Sequence, residues 1–263
     1  MGFLVSDRTA RHEPGLRDGF VFFGSQYIEF CWVEDEALFS EGEPEESDMR
    51  RAHRPFAIGL VSDDIQATHD DWLARGHDLP EVFSKAERGA DNVPPRWSFQ
   101  EIPEALLPGA SCFALTYHVS RSPETIAPNS TYAIAGVTFV SSSAKEHASA
   151  WRDLLAPGAS IDSSHDAHQV AIGPHIAQWM EPGQYQRRYG RAFDPAPHRF
   201  GELALLHVLA TDLKRVDSAL VGSGREVIPI DPTSGDGPGL FVPPDPQDGF
   251  SFLVTEQPVG GLK

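Results

Sequence analysis

The chain has 263 residues, a formal net charge of −17 and an apolar share of 40%. That apolar share supports a buried core and excludes global disorder, and the acidic balance excludes nucleic acid as a partner, because its binding needs clustered Lys and Arg. No apolar run reaches the ~18 residues that span a bilayer, and the start Met1-Gly-Phe-Leu-Val lacks the basic region of a signal peptide. No membrane partner and a cytoplasmic location are therefore expected, with Cys31 and Cys112 as buried, unbridged thiols. Residues 19–33 then predict two strands around a Gly24-Ser25 turn. Residues 34–48 carry eight carboxylates and predict a solvated loop.

From Phe56 a pattern begins that recurs twice: an apolar strand, a capping residue, then a short helix closed by a large apolar residue. The caps are Asp64, Ser143 and Asp212, and each is followed eight residues later by Trp72, Trp151 or Leu220. The first helix places Ile65, His69 and Trp72 on one face and stops at Gly76. Residues 80–100 are loop-rich, with strands expected at Arg96–Glu101 and Cys112–Val119. The second helix carries Ala144, Ala148 and Trp151 on one face, with strands following at Gln169–Ile172 and His175–Met180. A connector rich in aromatics and arginines runs from Tyr185 to Arg199. The third unit begins near Glu202, and its later strands are expected at Arg225–Ile230, Gly239–Val242 and Phe250–Thr255.

Each unit reads as strand, helix, then two or three strands, and a repeat of this length defines a tandem array. Residues 1–33 look like the second half of such a unit. The expected fold class is α+β: tandem βαβββ units, the first truncated, forming two cup-shaped domains. The boundaries are residues 1–122 for the N-terminal domain, 123–131 for a linker and 132–263 for the C-terminal domain. A unit lacking its first strand leaves a sheet edge open. Two outcomes are expected to resolve it: the natural start lies upstream, or a second copy covers the edge as a homodimer.

This arrangement resembles the vicinal-oxygen-chelate superfamily (glyoxalase, bleomycin resistance, extradiol dioxygenase), and in detail its glyoxalase-like domain proteins. The resemblance rests on Tyr27-Ile-Glu-Phe, Ile58-Gly-Leu-Val-Ser-Asp-Asp, the strand from Pro128 to Val140, and the run from Val242 to Phe252. It implies cups that hold a divalent metal through His or Glu on the first and last strands of each unit. The first-strand positions, seven residues before each cap, are Ala57, Gly136 and Leu205; the last-strand positions are Glu29, Thr116, Gln178 and Leu253. Of these only Glu29 is a good ligand for a hard cation, so no metal and no other cofactor is expected.

The candidate ligand-binding residues are then Glu29 and Gln178, with His118 and His207 two residues beyond ligand positions on the same strand faces. Trp97 offers an aromatic surface for stacking, as does Trp179. Arg187 and Arg188 offer guanidinium forks for an anionic group. No catalytic residue is assigned: the chain contains no phosphate loop, no nucleophile elbow, no Cys-x-x-Cys and no His-Glu-x-x-His. The expected function is binding of a small organic molecule in a sheet-lined cup. The alternative is a metal-dependent lyase, isomerase or dioxygenase.

Overall fold

The computed structural model describes residues 15–39, 55, 57–85, 97–118, 127–163, 166–194, 201–230, 238–244 and 251–256. Strands β1 (Leu16–Phe23) and β2 (Gln26–Val33) form an antiparallel hairpin that turns at Gly24 and Ser25. The short helix α1 (Glu36–Phe39) follows and buries Phe39 inside the segment expected to be a solvated loop. The rest of that acidic segment lies outside the described residues.

The first complete unit is β3 (Ala57–Val61), α2 (Ile65–Ala74), β4 (Phe83–Lys85), β5 (Trp97–Ile102) and β6 (Ser111–Tyr117). Its four strands pair in the order β3-β6-β5-β4. Asp64 caps α2 by accepting from Ala67 N, and the helix buries Ile65, His69 and Trp72. Strand β4 falls in a stretch that reads as loop, and its three residues are too few to show an alternation.

The next unit is β7 (Thr131–Val140), α3 (Ala144–Leu155), β8 (His168–Ile172) and β9 (His175–Met180). A helix not foreseen in the connector, α4 (Pro182–Tyr189), follows. The last unit is β10 (Leu203–Ala210), α5 (Leu213–Gly222), β11 (Ile228–Ile230), β12 (Gly239–Val242) and β13 (Phe252–Thr255). These two units share one seven-stranded sheet, ordered β11-β12-β13-β10-β7-β9-β8. The first strand of each unit lies parallel to its last strand, as a helical crossover requires. The two units meet where β7 and β10 run antiparallel.

Two apolar layers cover the helix side of the sheets. Ile65 and Trp72 of α2 pack with Ala148, Trp151 and Leu154 of α3 and with Phe139 and Trp179 of the large sheet. Phe139 stacks on Trp179 at 5.1 Å and 9°, and Trp151 closes edge-on against Trp179 at 5.3 Å. The hairpin takes part in the second layer: Val21 and Phe23 pack with Val216 and Leu220 of α5 and with Val208, Val242 and Phe252. Burying each such side chain contributes ~1.5–3 kcal/mol. The opposite face of the hairpin, with Phe20, Phe22 and Tyr27 in ring contact, turns toward β6, where the hydroxyls of Tyr27 and Tyr117 lie 2.9 Å apart.

Candidate functional site

The concave face of the seven-stranded sheet carries a buried polar line. Gln169 Nε2 on β8 donates to Gln178 Oε1 at 3.1 Å, and Gln178 Nε2 on β9 donates to Thr138 Oγ1 at 2.7 Å. Thr138 Oγ1 on β7 lies 2.6 Å from Nε2 of His207 on β10. Register explains the line: Gln169 opposes Gln178, and Gln178 opposes Thr138. All four side chains are buried. Burial pushes the His207 imidazole down to about 3, and the Arg188 guanidinium pushes in the same direction. His207 is therefore neutral at physiological pH. Its ring holds the Thr138 hydroxyl at the floor of the cup.

Helix α4 closes over this floor. Its Tyr185 and Tyr189 pack in one cluster with Leu205, Phe241 and Leu253 of the concave face. Tyr189 stacks on Phe241 at 4.8 Å. The helix starts with a capping box between Glu181 and Gln184, with Pro182 in its first turn, and ends on Gly190 in the left-handed region. Those signals stand in the sequence as Glu-Pro-Gly-Gln, with Tyr185 and Tyr189 four residues apart, but they lie within a stretch whose density of Arg and Tyr reads as connector.

Beside α4 a cavity of about 300 Å³ remains, with apolar walls from Phe193, Leu203, Ala204 and Phe241. Its polar groups include Tyr185, Arg191 and Ser251. Burial pushes the Tyr185 phenol up to about 12, against the opposing pull of a hydrogen bond to Ser251 and the charge of Arg191. Arg191 also bonds the Glu226 carboxylate, which cancels its charge at the rim.

The structure brings together only some of the residues expected at the site. Gln178 and His207 meet through Thr138, and Leu253 faces the same cup. Arg187 stands exposed 3.6 Å from Asp166, and Arg188 lies over the Tyr189 ring at 5.9 Å, so the two do not form a common fork. Glu29 lies far along the chain on β2, on the hairpin face that carries Tyr27. Trp97 sits on the concave side of β5 with its ring 5.2 Å from Phe99, in the N-terminal cup.

Three expected placements need correction, those of Thr116, His118 and Trp179. Thr116 was expected to point into the cup, yet its hydroxyl accepts from Ile65 N at 2.8 Å and donates to Ser62 O, which places it on the face covered by α2. His118, two residues on, shares that face and contacts Ser98. Strand β6 therefore runs one residue out of the expected phase, and its cup-facing residue is Tyr117. Trp179 likewise lies in the helix-side core rather than on an inner surface.

The divalent metal that the resemblance implies does not fit the C-terminal cup. Gly136, Leu205 and Leu253 offer no ligand atom, and the polar ends of Gln178 and His207 both engage Thr138. Gly136 has a separate role: a Cβ there would come within 2.0 Å of the Ile176 carbonyl oxygen. Among the described residues, one group of three metal-ligating side chains gathers elsewhere. Asp18, Glu29 and Cys31 on the hairpin each bring one ligand atom within 4.8 Å of the others.

Among the described residues no helix is long and apolar enough to cross a membrane. No curated protein matches the chain. Solved structures do. A hypothetical protein from Staphylococcus aureus superposes with a TM-score of 0.58 at 10% identity, covering 96% of this chain and 90% of its own. A catechol 2,3-dioxygenase gives a TM-score of 0.56 at 11% identity, over 100% of this chain and 82% of that one. A 2,2',3-trihydroxybiphenyl 1,2-dioxygenase from Sphingomonas wittichii gives 0.52 at 13% identity, over 94% and 80%. At such identities the likeness shows the fold. The family model described as the glyoxalase-like domain matches residues 1–155, more than half of the sequence. The chain belongs to the glyoxalase-like domain family, within the vicinal-oxygen-chelate fold.

Proposed function

We propose that this protein binds a small organic molecule in its C-terminal cup, without a metal at the positions where the family usually holds one. The observation that carries the reading is the cavity beside α4, walled by Phe193, Leu203, Ala204 and Phe241 and by the polar Tyr185, Arg191, Asp194 and Ser251. An apolar hollow with a few fixed polar groups is the general form of a small-molecule site. Arg191 is balanced by Glu226 and the carboxylate of Asp194 also lines the cavity, so the site disfavours an anion and suits a neutral molecule that accepts hydrogen bonds from Tyr185. The unbridged thiols Cys31 and Cys112 and the acidic composition support a cytoplasmic setting. Protein purified natively and then denatured should release a small molecule detectable by mass spectrometry, and that molecule should raise the melting temperature when added back. Release of nothing, together with no thermal shift from a library of neutral aromatic and aliphatic compounds, would sink the reading.

A metal-dependent lyase, isomerase or dioxygenase is the second reading. One observation favours it, the gathering of Asp18, Glu29 and Cys31. Two carboxylates and a thiol suit a transition metal better than magnesium or calcium. Elemental analysis after dialysis against a chelator separates the two. A stoichiometric transition metal that is retained by the native protein and lost in Glu29→Gln would replace the first reading.

A further inference from the structure

Three side chains that neither cup uses form a hydrogen-bonded line across the helix-side end of the N-terminal sheet. Ser84 Oγ on β4 lies 2.6 Å from Ser98 Oγ on β5, and Ser98 Oγ lies 2.8 Å from Nε2 of His118. Register sets the row: Ser84 opposes Ser98, Ser98 opposes Thr116, and His118 follows Thr116 two residues later on the same face. Ser98 is buried, whereas Ser84 and His118 are exposed. All three line an open cavity of about 340 Å³ whose other polar walls are Asp63, Asp64, Gln66 and Thr116. Thr116 does not compete for the line, because its hydroxyl is engaged by Ile65 N and Ser62 O.

We propose that this line is a second, catalytic site: an acyl-transfer relay in which Ser84 is the nucleophile, Ser98 carries the proton and His118 is the base. Ser84 Oγ forms a bond to the acyl carbon of an ester. Its proton passes to Ser98 Oγ while Ser98 gives its own proton to His118 Nε2. The bond from the acyl carbon to the leaving oxygen then breaks, and the departing alcohol takes the proton back along the same path. Water repeats the sequence with Ser84 as leaving group, which releases the acid and restores the hydroxyl. No oxidant, reductant or metal enters the balance.

The charges around the cavity select the substrate. Asp63 and Asp64 line it and no Lys or Arg does, among the described residues. These carboxylates repel an anionic substrate. The substrate class is therefore a neutral ester.

The test uses the intact chain with p-nitrophenyl acetate and butyrate, and with a fluorophosphonate probe followed by peptide mapping. The expected result is one probe adduct, on Ser84, and ester turnover that disappears with it in Ser84→Ala. His118→Ala should slow acylation about 100-fold, and added imidazole should restore part of the loss, which a merely structural histidine would not allow. An anionic ester of the same size should react at least tenfold more slowly than the neutral one. Absence of an adduct on the folded protein, an adduct unaffected by His118→Ala, or wild-type turnover in Ser84→Ala would overturn the proposal. Should Ser84→Ala fail to fold, Ser84→Gly with a thermal melt gives the same comparison.

Discussion

Gln26 holds Ile134 by both of its backbone polar groups: its amide Nε2 donates to the Ile134 carbonyl at 3.1 Å, and its Oε1 accepts from the Ile134 N–H at 2.8 Å. Strand β9 joins β7 only from Gly136 onward, so at Ile134 the carboxamide stands where a neighbouring strand would be. It pins the hairpin to the large sheet. Gln26→Ala leaves the Ile134 N–H unpaired, while the carbonyl keeps its bond from His175, and should cost about 1–2 kcal/mol. Urea unfolding would read the loss. Hydrogen exchange at the Ile134 amide should accelerate, while amides of α3 should not.

Gly136 should tolerate no side chain. A methyl group there would overlap the Ile176 carbonyl, a backbone atom that cannot turn aside. Strands β7 and β9 would have to separate at the point where the polar floor begins. Gly136→Ala should destabilise the protein by about 1–3 kcal/mol or more. Melting temperature and soluble yield report it. A variant as stable as the wild type would mean that the sheet yields there at little cost.

The repeat made most of the fold legible. The caps Asp64 and Asp212 are side-chain caps in the structure, and Ile65, His69, Trp72, Ala148 and Trp151 are buried as their spacing implies. The site was less legible, because strand phase carries little information where both faces are covered. Seven of the eight residues from Ser111 to His118 are at least half-buried, and every residue of β10 is buried, so polarity does not mark the inner face. Counting seven residues back from the caps gave Ala57, Gly136 and Leu205. The structure shows that the row at the cup floor stands five residues back, at Gly59, Thr138 and His207, opposite Phe113, Gln178 and Leu253. Only a partner strand reveals that row. Helix α4 is not legible for another reason: its apolar stripe is two tyrosines in a basic segment, and it is stable because it docks in the cup.

Tyr185 should act as a hydrogen-bond donor in the cavity at any physiological pH, since its phenol is held up to about 12. Tyr185→Phe keeps the ring that packs against Tyr189 and Phe193 and removes only the hydroxyl. The fold should survive, and affinity for the released or added ligand should fall about tenfold, or about 1.4 kcal/mol. Calorimetric titration of the two proteins checks this. Phe193→Ala should weaken binding as well by opening the apolar wall, whereas Arg187→Ala, exposed and remote from the cavity wall, should not.

His207 should make the protein sensitive to acid. Its folded value of about 3 lies below the ordinary 6.5, so the unfolded chain binds a proton more readily than the folded one throughout that interval. Stability is then full above pH 6.5 and falls as the pH drops from 6.5 toward 3. The loss attributable to this one group reaches on the order of 5 kcal/mol at the low end. His175 is also lowered by burial, partly opposed by its backbone bond to Ile134, and it adds to the same trend. His207→Gln keeps a polar end for Thr138 and cannot titrate, so it should flatten the pH dependence while lowering stability at neutral pH. Denaturant unfolding at intervals between pH 4 and 8 measures both effects. If the variant and the parent lose stability in parallel as the pH falls, the acid sensitivity resides in the carboxylates and not in the floor of the cup.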